Sequence, residues 1–159
     1  MAVVLVAEDD QDIAVILARL LTRAGHTVRH QPDGLAAFEQ ALADPTDVLL
    51  TDLGMPRMDG LELTRAVRRH PDLRDLPIVM LSGHLNPGDR QPIEAGCCAV
   101  LLKPCPNDRL RDTVRMLADL GPHSHDGVPG CEALGFAGAL PDTPHPAPPY
   151  ERQRPVVRR

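Results

Sequence analysis

Residues 47–60 read DVLLTDLGMPRMDG: an apolar run, Val48-Leu49-Leu50, passes through Thr51 to the acidic Asp52 and then into a segment rich in Pro and Gly. A short uninterrupted apolar run is the pattern of a strand covered on both faces, as in a parallel sheet. A loop leaving such a strand needs chain breakers such as Pro56 and Gly60 if its backbone is to bend around an acceptor group. The pattern recurs: residues 3–6 lead to Glu8-Asp9, residues 78–81 to Ser82, and residues 100–102 to Lys103-Pro104. Strands alternating with helix-length segments imply an α/β fold, and open sheets of that kind bind ligands beyond the carboxyl ends of their strands. Carboxylates, a hydroxyl and an ammonium group are therefore expected in one polar pocket at a single sheet edge.

The flanking segments complete the alternation. Residues 2–7 predict the first strand. A helix follows, with Asp12 as its N-cap, Ile13, Ile16, Leu17, Leu20 and Leu21 at helical spacing, Arg19 and Arg23 on its wet face, and Gly25 as the stop. Residues 27–30 and 47–51 predict strands around a helix at 35–43, which ends before Pro45. A third helix is expected over 61–69 and a fourth strand over 77–81. The short fourth helix, 87–95, contains Pro92, which removes a backbone donor if it lies past the first turn. A fifth strand at 98–102 and a final helix at 108–120, with Leu110, Val114, Leu117 and Leu120 turned inward, end the pattern.

Composition narrows the function. The chain of 159 residues has two Phe, one Tyr and no Trp, so its core is expected to be aliphatic and stacking on nucleic-acid bases is disfavoured. A net charge of −5 argues against a broad electrostatic grip on DNA or RNA. No apolar stretch approaches the roughly 20 residues that span a bilayer, and the expected location is the cytoplasm. Cys97, Cys98, Cys105 and Cys131 lack paired CxxC spacing, which predicts reduced, mostly buried thiols rather than a disulfide framework or a zinc site. After Gly121 the composition shifts: residues 122–159 hold eight of the seventeen prolines and no sustained apolar period. A disordered or extended tail is expected over 121–159, with no output domain and no formed metal site at His123, His125 and His145.

Residues 2–120 resemble the receiver domain of two-component response regulators. The resemblance rests on Glu8-Asp9, on Thr51-Asp52 followed by Met55-Pro56-Arg57-Met58-Asp59-Gly60, on Ser82-Gly83 and on Lys103-Pro104. Each motif is common by itself; the four in this order and spacing are specific. The resemblance implies a three-layer doubly wound (βα)5 fold over 1–120, with a five-stranded parallel sheet in the flavodoxin-like order 2-1-3-4-5.

It also implies a chemistry. A carboxylate that accepts a phosphoryl group needs a divalent cation to screen its charge, and oxygen ligands suit Mg2+. By resemblance, Asp9, Asp52 and the backbone carbonyl of Gly54 contact the metal, and Glu8 acts through water. Asp52 is the expected phosphoacceptor, attacking a phosphohistidine on a histidine kinase or histidine phosphotransfer protein. Lys103 is expected to pair with Asp52 in the empty site and with a phosphoryl oxygen in the filled one, across a cis peptide to Pro104. Ser82 is expected to bond a phosphoryl oxygen. The output is then binding of a downstream protein or onward transfer of the phosphate, by a regulator rather than an enzyme.

Three positions depart from the family pattern, one of them Pro92, which alters the fourth helix. Val100 stands where most receivers carry a Tyr or Phe whose rotamer relays phosphorylation, and Cys105 replaces a common Phe. His84 lies two positions past Ser82, where relatives vary the residue that gates the attacking water. Val100 and Cys105 motivate an alternative, a constitutive binding scaffold with a vestigial switch. A phosphohydrolase of the haloacid dehalogenase-like kind is disfavoured, because Leu53-Gly54 follows Asp52 where that class wants Asp-x-Asp.

Overall fold

The computed structural model describes residues 1–83, 85, 86 and 89–125. Five strands, β1 Val3–Ala7, β2 Thr27–Gln31, β3 Val48–Thr51, β4 Ile78–Ser82 and β5 Ala99–Leu102, alternate with α1 Gln11–Arg23, α2 Gly34–Ala43, α3 Gly60–Arg69, α4 Gln91–Ala95 and α5 Asn107–Leu120. The strands form one sheet in the order β2-β1-β3-β4-β5, every pairing parallel. This is the expected doubly wound arrangement.

Two aliphatic layers flank the sheet, because alternate residues of each buried strand face opposite ways. Val4, Val6, Val48, Leu50, Val79 and Leu101 pack with Leu17 and Leu21 of α1 and with Leu110, Val114 and Leu117 of α5. On the other face Leu5, Leu49, Ile78 and Met80 pack with Ala37 and Ala41 of α2, Leu63 and Val67 of α3, and Ile93 of α4. Burying one such aliphatic side chain contributes about 1.5–3 kcal/mol.

The helix ends refine the expectations. The N-cap of α1 is Asp10, not Asp12: its extended backbone lets the carboxylate accept from the N–H groups of Asp12 and Ile13, which places Asp12 inside the first turn. The buried stripe of α1 is Ala14, Leu17 and Leu21. Ile13 and Leu20 lie at its margin, and Ile16, about 130° around the helix from its centre at 3.6 residues per turn, is exposed. In α5, Leu110, Val114 and Leu117 are buried as expected, while the final residue, Leu120, is half exposed. The fourth helix is shorter than expected, beginning at Gln91. Pro92 falls in its first turn, where a missing N–H costs no helical hydrogen bond.

Past α5 the chain turns at Gly121, whose φ of 72° favours glycine. The His123 N–H then donates to the Asp75 carbonyl. His123 and His125, expected in an extended tail without a metal site, instead reach Cys98. Residues 126–159, with Cys131 and His145, lie outside the described residues, as does His84. Among the described residues no helix is long and apolar enough to cross a membrane.

Candidate phosphoacceptor site

Strand register brings the site together. Ala7 pairs with Thr51, and the Asp52 N–H donates to the Ala7 carbonyl, so Glu8 and Asp52 leave adjacent strands at the same level. Across the sheet Ser82 pairs with Leu102, and the Lys103 N–H donates to the Ser82 carbonyl. Lys103 therefore emerges at the same carboxyl edge, followed by a cis peptide to Pro104.

Carboxylate oxygens of Glu8, Asp9 and Asp52 lie within 4.8 Å of one another. The Lys103 ammonium donates to Glu8 Oε2 at 3.1 Å and stands 3.7 Å from Asp52 Oδ1. Its nearer carboxylate is thus Glu8, whereas the sequence pointed to Asp52. Asp52 Oδ1 also accepts from the Leu53 N–H at 2.8 Å, and Glu8 Oε1 from the Asp10 N–H at 3.1 Å. These groups, with Asp10, Ile13, Gly54 and Gly83, line a cleft of about 300 Å3. Larger clefts of about 730 and 530 Å3 open at the opposite edge, around His26 and around Pro45, away from the three carboxylates.

The electrostatics are uneven. Glu8 is 2% exposed, and burial pushes its carboxyl above the usual carboxylate range, against the Asp10 N–H and Lys103, which favour the charged form, and together with the negative charge of Asp52. Asp52 is 9% exposed, and Asp9 is open to solvent. Ser82 is fully buried at the end of β4; among the described residues lining the cleft, Gly83 and not Ser82 represents that strand end.

The sequence placed Arg57 and Gly60 in the loop after β3 but not the contacts they make there. Arg57, at a φ of 64°, donates from Nη2 and Nε to Asp33 Oδ2 at 2.7 and 3.1 Å, which ties the loop after β3 to the start of α2. The Ala36 N–H and the Arg57 guanidinium hold the buried Asp33 carboxyl below its usual range. Gly60 is required by contact: a Cβ there would run into the Asp52 carbonyl oxygen, with Leu53 Cα 3.0 Å away. The Asp33-Gly34 and Asp59-Gly60 pairs, each an acidic cap before a helix, were the available signal.

The donor set suits a hard cation. Three carboxylates cluster together, two of them, Glu8 and Asp52, beside the Lys103 ammonium; all ligand atoms are oxygen, and the excess negative charge is what a divalent ion offsets.

The family model for the response regulator receiver domain matches residues 4–115. The response regulator receiver protein CpdR of Brucella abortus (strain 2308) is 40% identical over 116 residues, 70% of this chain and 89% of that protein. The chain spans about half the length of other curated relatives, the mycobacterial response regulators MprA. Among solved structures, a putative response regulator from Chloroflexus aurantiacus J-10-fl superposes with a TM-score of 0.71 at 31% identity, over 74% of this chain and 98% of that one. The receiver domain of the sensor histidine kinase PA1611 from Pseudomonas aeruginosa PAO1, solved with a magnesium ion coordinated in its active-site cleft, gives 0.69 at 27% identity, with the same coverage. The chain belongs to the response regulator receiver domain family. It is accordingly a phosphorylation-switched signalling protein of a two-component system, and its receiver is a regulatory domain.

Proposed function

We propose that Asp52 is the phosphoacceptor and that a histidine kinase or a histidine phosphotransfer protein is the donor. The observation that carries this reading is the convergence of the Glu8, Asp9 and Asp52 carboxylates with the Lys103 ammonium at one strand edge. Glu8, Asp9, Asp52 and the backbone carbonyl of Gly54 are the groups to hold Mg2+. Bound there, Mg2+ supplies the positive charge that lets an anionic carboxylate meet an anionic phosphoryl group.

The Asp52 carboxylate oxygen attacks phosphorus and forms the new P–O bond. The P–N bond of the phosphohistidine breaks, its electron pair stays on the imidazole nitrogen, which takes up a proton, and an acyl phosphate remains on Asp52. Lys103 then has a phosphoryl oxygen to pair with in place of Asp52, and the Ser82 hydroxyl is the group at the end of β4 available to another. Moving Lys103 and Ser82 toward the phosphate displaces the ends of β4 and β5, and a downstream protein reads that change. Val100 is a small side chain in the apolar layer beneath α3 and α4, so the output travels through backbone and helix displacement rather than a swinging ring.

Beryllofluoride with Mg2+ tests the reading. Saturable binding is expected in the wild-type chain and none in Asp52→Asn. Equal partner affinity with and without the phosphoryl mimic would instead mark a constitutive scaffold, since a ligand that binds two states equally shifts neither.

A further inference from the structure

Cys98 lies immediately before β5, at the end of that strand opposite Lys103. Two imidazoles converge on its sulfur from the segment after α5. His123 Nε2 is 3.4 Å and His125 Nε2 3.3 Å from Cys98 Sγ, and the rings stand 4.5 Å apart at 44°. All three ligand-type atoms lie within 4.8 Å of one another. The rings are also oriented from behind: His123 Nδ1 is 2.8 Å from the Gly121 carbonyl oxygen and His125 Nδ1 3.2 Å from that of Arg74. A carbonyl only accepts, so each neutral ring carries its proton on Nδ1 and turns its Nε2 lone pair toward the sulfur. Metal-binding histidines are supported in this way, with the remote N–H fixed by a backbone acceptor. The sulfur also receives the Ile78 N–H at 3.5 Å and Arg68 Nη2 at 3.6 Å, so it is fixed in place from the side of β4 and α3.

We propose that Cys98 Sγ, His123 Nε2 and His125 Nε2 bind a divalent transition-metal ion, zinc being the one this donor set suits. One thiolate and two imidazoles form a borderline-soft set, unlike the all-oxygen pocket at the other edge of the sheet. Zn–S and Zn–N bonds of about 2.3 and 2.0–2.1 Å at a tetrahedral angle separate sulfur from nitrogen by about 3.5 Å, close to the spacing found. Binding forms the Zn–S bond and releases the thiol proton to solvent, and a fourth position remains for water or a further donor. The ion would fasten residues 121–125 to the amino edge of β5, anchoring the start of the Pro-rich extension on the side of the domain away from Asp52.

The test uses the full 159-residue chain, stripped with a chelator and titrated with Co2+ and then Zn2+ in excess Mg2+, which saturates the oxygen pocket. One equivalent of Co2+ is expected to give tetrahedral visible bands and a sulfur-to-cobalt charge-transfer band in the near ultraviolet, both displaced by one equivalent of Zn2+. Cys98→Ser is expected to lose the charge-transfer band. Because Cys98 is buried, the His123→Ala/His125→Ala double variant provides a second arm: its circular dichroism should match wild type while Zn2+ affinity falls at least about 100-fold, beyond what loss of one supporting hydrogen bond gives. Absence of the sulfur band in wild type, or Zn2+ affinity unchanged in the double variant, would overturn the proposal.

Discussion

The ammonium of Lys103 hydrogen-bonds Glu8 at 3.1 Å and reaches Asp52 only at 3.7 Å. It thus neutralises the most buried acid of the pocket and leaves the proposed acceptor the more weakly held of the two. A cation and a divalent ion drawn to the same carboxylates repel each other by on the order of 1 kcal/mol in screened surroundings. Lys103→Met is therefore expected to raise Mg2+ affinity several-fold by isothermal titration, while slowing phosphoryl transfer at least about tenfold through loss of charge stabilisation. Mg2+ affinity that stayed level or fell would contradict this balance.

Two glycines beside Asp52 should behave oppositely. A Cβ at Gly60 meets the Asp52 carbonyl, which is backbone and cannot rotate away, whereas a Cβ at Gly54 meets nothing within 4 Å. Gly60→Ala is expected to cost about 1–3 kcal/mol, as overpacking does, and to slow phosphorylation by moving the acceptor. Gly54→Ala should stay within about 0.5 kcal/mol of wild type. Urea denaturation of the two variants checks both values.

His26 gives the fold a pH dependence near neutrality. Its Nδ1 accepts from the Ala2 N–H at 3.4 Å, and burial, assisted by the nearby amino terminus, holds its pKa below the ordinary 6.5. A base depressed in the folded state contributes stability that is complete above its unfolded value, about 6.5, and lost as pH falls through the folded value. The urea midpoint should drop between pH 7.5 and 5, and His26→Asn should flatten that drop. Identical slopes in the two proteins would rule the residue out.

Core and surface leucines on α5 separate packing from composition. Leu117 is fully buried against the sheet, and Leu120 is half exposed. Leu117→Ala is expected to cost about 2–5 kcal/mol and Leu120→Ala no more than about 0.5, measured by thermal or urea unfolding.

Most of this was legible in the sequence, because four of the five strands, all but β2 with its Arg29, His30 and Gln31, are short apolar runs and the polar residues of the cleft stand at or just past their ends. Strand ends such as Thr51-Asp52 and Leu102-Lys103 carry their own position, so the sheet edge could be read without coordinates. What escaped depends on contacts distant in sequence. The choice of Lys103 between Glu8 and Asp52 is made by side-chain reach, and the Arg57–Asp33 pair joins two loops with no shared motif. Ile16 belongs to the apolar period of α1, yet the sheet covers only the arc centred on Leu17 and Leu21. The Cys98, His123 and His125 cluster was invisible for the same reason: without CxxC spacing, only the turn at Gly121 reveals that the chain comes back to β5.

Phosphoryl transfer to residue 52 decides whether Asp52 is the acceptor. Incubated with a phosphorylated histidine kinase or acetyl phosphate, the wild-type chain should gain one phosphoryl group in Mg2+, lose it in alkali as an acyl phosphate does, and gain none when Mg2+ is chelated or in Asp52→Asn. Labelling that survives in Asp52→Asn, or a wild-type chain that stays unlabelled with Mg2+ and either donor, would contradict the account.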